Sequence, residues 1–155
     1  MNFSKSIICA LIVSTLSAPV FAAPGHTWKK PSEMRGVESK IDAKQYQSAI
    51  NELEIMVEKN DDNADAFNLL GFSNRKLQRY DVAEEYYLQA LKIDPKHKGA
   101  MEYLGELYVE TGRMEQANQM LVRLDETCFL SCDEYKMLKE YIDRKEMGLT
   151  AKSSW

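Results

Sequence analysis

Alanines 49, 83 and 117 stand 34 residues apart, and the residues around them keep the same register. Tyr46, Tyr80 and Met114 precede them by three positions, and Leu53, Tyr87 and Leu121 follow by four. Met56, Ala90 and Leu124 come three positions later still. A period of this length, carrying apolar steps of three and four, specifies a helix–turn–helix unit. Such a unit cannot cover its own apolar faces, so neighbouring units must stack. Small side chains at the alanine rungs let two helices approach closely, and the larger ones fill the groove between them. The expected fold class is all-α, an α-α solenoid.

Residues 64–97 place Phe67, Leu70, Gly71, Ala83, Tyr87, Ala90 and Pro95 at the signature positions of the tetratricopeptide repeat family, which this stretch resembles. Asn74 departs from the aromatic residue expected at its position. Residues 98–131 resemble a second copy through Met101, Leu104, Gly105, Tyr108, Gly112 and Ala117. In that copy Leu121 and Leu124 stand where the first has Tyr87 and Ala90, and Phe129 replaces the terminal proline. Before Ala64 only the second helix of a repeat is expected, from Tyr46 to Lys59. Its partner stretch, residues 31–42, has Glu33 and Gly36 at positions that call for bulky apolar side chains. The resemblance implies about two and a half repeats over roughly 90 residues.

The N-terminus sets an expected compartment. Lys5 supplies a positive start, Ile7 to Leu16 form a short apolar run, and Val20-Phe21-Ala22 offers small or short side chains for a signal peptidase. The run of about ten residues is too short to span a bilayer. We therefore expect a signal peptide over residues 1–22, cleaved after Ala22, and a periplasmic or secreted protein. Cys9 does not follow the small-residue pattern of a lipid-attachment site. Lys5 is the one charged residue of that segment, so the mature chain carries 19 basic against 24 acidic side chains. An acidic balance argues against nucleic acid and against an anionic membrane surface as partners.

So few repeats need their end faces covered, by flanking helices or by a second copy in a homodimer. Residues 23–41, punctuated by proline and glycine, read as a loose or only partly helical N-terminal segment. Asp42-Ala43-Lys44-Gln45 reads as a helix-start box, and Ser131-Cys132-Asp133-Glu134 as another. The second box would open a capping helix to about Glu146, with Tyr135, Leu138, Tyr141 and Ile142 on one face. Residues 42–147 then form the repeat domain with its cap, and residues 148–155 a tail beginning at Gly148.

In the family that this chain resembles, the first helix of each unit lines the inner face and commonly holds a peptide. Carried over position by position, the inward residues are Asp65, Asn68, Phe72, Arg75 and Lys76, then Gly99, Glu102, Glu106, Val109 and Glu110. Tyr103 is a further apolar contact beside Phe72. Glu102, Glu106 and Glu110 are four apart and share one stripe, where like charges repel by a few tenths of a kcal/mol per pair. A basic ligand would offset that repulsion, and so would Arg75 or Lys76 from the adjacent helix. Some members of the family clamp a terminal carboxylate between cationic and amide side chains. Asn68 and Arg75 lie in that neighbourhood, but the glutamates of the next repeat would repel such a ligand.

Cys128 and Cys132 are the two cysteines left after signal cleavage, an even count in an oxidising compartment. Their spacing permits a disulfide at the corner where the last repeat turns into the cap. A thiol-redox role is the alternative, since Cys132 stands at a helix start, where thiolates are stabilised. Against it, Asp125, Glu126, Asp133 and Glu134 would disfavour a thiolate. No phosphate cradle, zinc-protease motif, nucleophile elbow or calcium loop is present, and His26 and His97 are far from the cysteines. His26 would suit copper only if cleavage fell after Ala23, where proline follows. His97 closes the Asp94-Pro95-Lys96-His97 turn. We expect neither an enzyme nor a cofactor or metal site. The expected role is a protein-interaction scaffold or adaptor holding a basic or mixed-charge partner segment, with thiol-redox accessory chemistry as the alternative.

Overall fold

The computed structural model describes residues 32–129 and 131–148, which form seven α-helices and no strand. In order they are α1 (Ser32–Asp42), α2 (Tyr46–Lys59), α3 (Ala64–Lys76), α4 (Tyr80–Ile93), α5 (Lys98–Glu110), α6 (Met114–Thr127) and α7 (Asp133–Glu146). The all-α solenoid is thus the observed class. Three helical hairpins stack in sequence, α3 packing on α2, α5 on α4, and α7 on both α5 and α6. The expected signal peptide, residues 23–31 and residues 149–155 lie outside the described residues.

The ladder does what its spacing requires. Ala49, Ala83 and Ala117 are completely buried, each one turn inside the second helix of its hairpin. Tyr46, Tyr80 and Met114 are the first residues of those helices. The core has two parts, one around Leu53 and Leu70 and one around Tyr87, Leu104 and Leu138, and Phe67 packs against both. At Gly71 the approach is so close that a Cβ would stand 2.6 Å from the buried Tyr87 ring. At Gly105 it would stand 2.5 Å from Leu138, which brings the cap onto the last repeat. Tyr108 and Arg113 both donate to Glu84 at 3.0 Å, fastening α4 to the next hairpin.

Two expectations are corrected at the N-terminal end. The stretch read as loose is helical from Ser32, with Met34 and Val37 buried against α2. A terminal helix needs only a narrow apolar stripe, and Met34, Val37 and Ile41 supply one at helical steps. Nor does Asp42 start α2. It ends α1, and the chain turns through Lys44 in the left-handed region (φ 57°). Backbone N–H groups of Lys44 and Gln45 donate to the carbonyls of Ile41 and Lys40, a Schellman-type termination. The same turn recurs one period later at Gln78 (φ 59°) and again at Gly112 (φ 77°). Only the third uses the residue that favours this conformation.

At the other end, the residues expected to form α7 do so, with Leu138 and Ile142 buried and Tyr135 and Tyr141 packed on the core. The expected side-chain cap is not made. Cys132 occupies the N-cap without a capping hydrogen bond, and Ser131 sits at φ 68°. Sulfur is a poor acceptor, and Cys132 is bonded to Cys128 (S–S 2.01 Å, Cα–Cα 5.6 Å). The bond joins the end of α6 to the start of α7.

Gly71→Ala should destabilise the protein by about 1–2 kcal/mol, overpacking against Tyr87 outweighing the better helix propensity of alanine. Gly36→Ala is the control, since its Cβ would meet only Glu52 Oε1 at 3.7 Å. Thermal unfolding should show a lowered midpoint for the first and an unchanged or raised one for the second.

Candidate functional site

The inner face is built from the first helices of the stacked units, α3 and α5, with the cap α7 beside them. Arg75 sits in the last turn of α3, favoured there by the helix dipole, and is 3% exposed. Its Nη2 donates to Glu106 at 2.5 Å and its Nη1 to Glu110 at 2.8 Å, both on α5. Burial opposes the charge, yet Tyr87, Glu106 and Glu110 together hold the guanidinium pKa above its ordinary value. Tyr141 of α7 donates to the same Glu110 oxygen at 3.1 Å. One guanidinium therefore links three helices.

Aromatic rings complete the wall. Phe72 and Tyr103 lie 5.1 Å apart between centroids, with Tyr46 edge-on to Phe72 at 6.4 Å. The Arg75 guanidinium lies 5.8 Å from the Phe72 ring and 5.7 Å from that of Tyr103. Lys76 Nζ lies 5.1 Å from the Phe72 centroid, and burial together with Arg75 lowers its pKa. The stripe of glutamates is thus neutralised in part from within, by Arg75 rather than Lys76.

Glu102 stands apart. It is 3% exposed, and among the described residues it makes neither a hydrogen bond nor an ion pair. Burial, with Glu106 and Glu134 as like charges nearby, raises its pKa to about 8 despite the opposing influence of Arg75. Asn68, the equivalent position one repeat earlier, is 7% exposed, and its Oδ1 has no hydrogen-bond partner. The remaining inward positions divide. Asp65 pairs with His97 Nε2 at 3.0 Å, while His97 Nδ1 accepts from Ala100 to cap α5. Gly99 lies beneath the Asn68 amide. Val109 is buried in the core and not inward-facing in any useful sense.

Asn68, Phe72, Arg75, Lys76, Glu102, Tyr103, Glu106 and Glu110 therefore share one surface. Sequence reasoning overlooks Tyr46 and Glu134 as members of it, and offers Tyr141 only as part of the cap stripe, with an aromatic platform for a ligand as the alternative. Tyr46 and Tyr141 were visible as ladder and cap residues, but nothing in their spacing says that they turn toward the groove. Among the described residues no group of three or more His, Cys, Asp or Glu is placed to hold a metal, and no helix is long and apolar enough to cross a membrane.

Residues 36–98 match one family described as "Tetratricopeptide repeat" and residues 75–140 match a second with the same description, so the matched stretch runs from 36 to 140. The Yersinia enterocolitica type III secretion translocator chaperone SycD is similar at a TM-score of 0.64 and 16% identity, over 79% of this chain and 92% of that one. The Arabidopsis OM64 TPR domain is similar at 0.61 and 18%, over 72% and 92%. A MamA RS-1 double mutant is similar at 0.58 and 23%, over 61% and 53%, so this chain spans about half the length of that protein. At these identities the likeness is one of fold. No curated protein matches the chain in sequence.

Arg75→Ala should cost about 3 kcal/mol, because it leaves two carboxylates facing each other without their cation. Glu102 generates a pH dependence. The folded chain holds its proton up to about pH 8, whereas an unfolded glutamate releases it near 4.5. Between those values the folded state binds more protons, so this group makes stability fall as pH rises, levelling off above about 8. Glu102→Gln should remove that slope, with thermal midpoints of parent and variant similar at pH 5 and the variant higher at pH 8.5.

Proposed function

We propose, for a chain that belongs to the tetratricopeptide repeat family, the role of a non-enzymatic scaffold or adaptor that holds a segment of another protein along its inner face. One observation carries this reading. Half-buried aromatic side chains, Phe72 and Tyr103, stand over a rigid charge network, and no further helix layer covers them among the described residues. Fixed rings with a polar surround are the usual composition of a binding hot spot. SycD, which shares the fold, has been solved with a peptide of the translocator YopD, which supports a peptide segment as the kind of partner. The acidic residues along the groove favour a basic or mixed-charge segment. An array this short buries no more than a standard-size interface, so the affinity is moderate.

The compartment in this reading is the periplasm or the cell exterior. The expected cleavable signal and the Cys128–Cys132 bond both suit an oxidising environment. The bond then acts as a strut for α7 and not as a redox centre. It closes a loop of only a few residues, which limits its stabilisation to less than about 3 kcal/mol.

Capture from a periplasmic extract of the source cell tests the groove. Phe72→Ala, with unchanged helicity, should weaken retention of the partner about tenfold, the loss of one aromatic anchor. Leu88→Ser, on the exposed side of α4, should leave it unchanged. Equal retention by the parent and Phe72→Ala would remove the groove as the working surface. A Cys128→Ser, Cys132→Ser double variant should keep the partner while melting slightly lower. A partner trapped covalently by either single variant would establish the thiol-redox role instead.

A further inference from the structure

Asn68 on α3 and Glu102 on α5 occupy the same position one repeat apart; the buried Asn68 Oδ1 has no hydrogen-bond partner, and Glu102 makes neither a hydrogen bond nor an ion pair among the described residues. Both are more than nine-tenths buried. The Asn68 amide lies over the first turn of α5, its Nδ2 only 3.3 Å from where a Cβ on Gly99 would stand. Glu102 follows Gly99 by three residues and so shares that face of the helix. Asn68 and Glu102 therefore line one notch beside the first turns of α5, and the missing side chain of Gly99 gives the amide its place there.

A buried carbonyl oxygen without a donor is unfavourable, and a buried carboxyl without a counter-charge stays in its neutral form until a cation reaches it. The nearby cations of the chain are engaged elsewhere. Arg75 gives its terminal nitrogens to Glu106 and Glu110, and Lys76 lies over Phe72. Glu134 from α7 brings a further negative charge toward Glu102, so an anionic ligand is repelled. What satisfies both acceptors together is a positively charged group with several N–H donors on a long, unbranched stem. Lysine and arginine are the side chains of that description.

We propose that the Asn68–Glu102 notch is a subsite for one lysine or arginine side chain of the bound segment. This inference rests on the groove reading above and deepens it: aromatic contacts with Phe72 and Tyr103 hold the segment, and the notch selects a cation at one position along it. Such a site explains why an uncompensated carboxyl lies where glutamine would be the more stable residue.

The test pans random ten-residue peptides, displayed on phage, against the full chain. Selected peptides should share a lysine or arginine at one position. A synthetic copy should bind Glu102→Gln at least tenfold more weakly than the parent, although that variant melts no lower. Norleucine at the shared position should cause a similar loss, and the two losses should not add when combined. Peptides without a fixed basic residue, or with undiminished binding to Glu102→Gln, overturn the subsite. If such peptides still lose affinity for Phe72→Ala, the groove stands and only the notch falls. If no peptide is selected, or none responds to Phe72→Ala, groove and notch fall together.

Discussion

The buried guanidinium of Arg75 is the interaction on which the arrangement of the inner face depends. Removing such a charge from water costs several kcal/mol, and the site is tolerable only because two carboxylates meet it with good geometry. Those carboxylates, Glu106 and Glu110, lie one turn apart on the neighbouring helix and would otherwise repel each other. The two problems cancel when α3 and α5 sit at one relative height. A slip of one helix by a turn would leave at least one charge buried and alone. Tyr141 extends the constraint to α7 by donating to Glu110, so the cap is held in the same register as the repeats.

Packing imposes the matching requirement on distance. Gly71 lets the Tyr87 ring lie directly on α3, and Gly105 lets Leu138 do the same on α5. The first contact closes a hairpin from within and the second closes the array from outside. Arg75 then spans from α3 to α5 to reach both partners. Charge and shape thus specify a single stacking, which a short array needs because each unit has so few neighbours.

Much of this was legible in the chain. The period of 34 locates the second helices α2, α4 and α6, because Ala49, Ala83 and Ala117 mark a close approach that tolerates little else. The stripe of Leu138 and Ile142 located α7. What escaped was local. Lys44 and Gln78 adopt a left-handed turn for which neither has a preference, so only tertiary contacts decide it, and Asp42 was read as a beginning when it is an end. Helix α1 is only partly legible, because it packs mainly on one neighbour and needs just Met34, Val37 and Ile41 to do so. The repeat carries position, so most of the inner-face residues could be named from it, although Val109 lies in the core. Their pairing was not readable, because which glutamate meets Arg75 depends on the spacing between helices, a quantity absent from any single helix.

That distinction bears on the stripe of three glutamates, which looks uniform in sequence and is not uniform in the fold. Glu106 and Glu110 belong to the structure, since removing either disturbs the Arg75 network that fixes the helices. Glu102 belongs to no such network, and burial holds it in its neutral form up to about pH 8. Binding surfaces in stable scaffolds commonly contain a residue that stability alone would not choose. By that measure the third glutamate is the one whose retention calls for a reason outside the fold, and a cation arriving from a partner is the simplest physical reason available. The same logic explains why reversing all three charges would be uninformative: it would break the frame and the notch together, and only a change confined to Glu102 separates them.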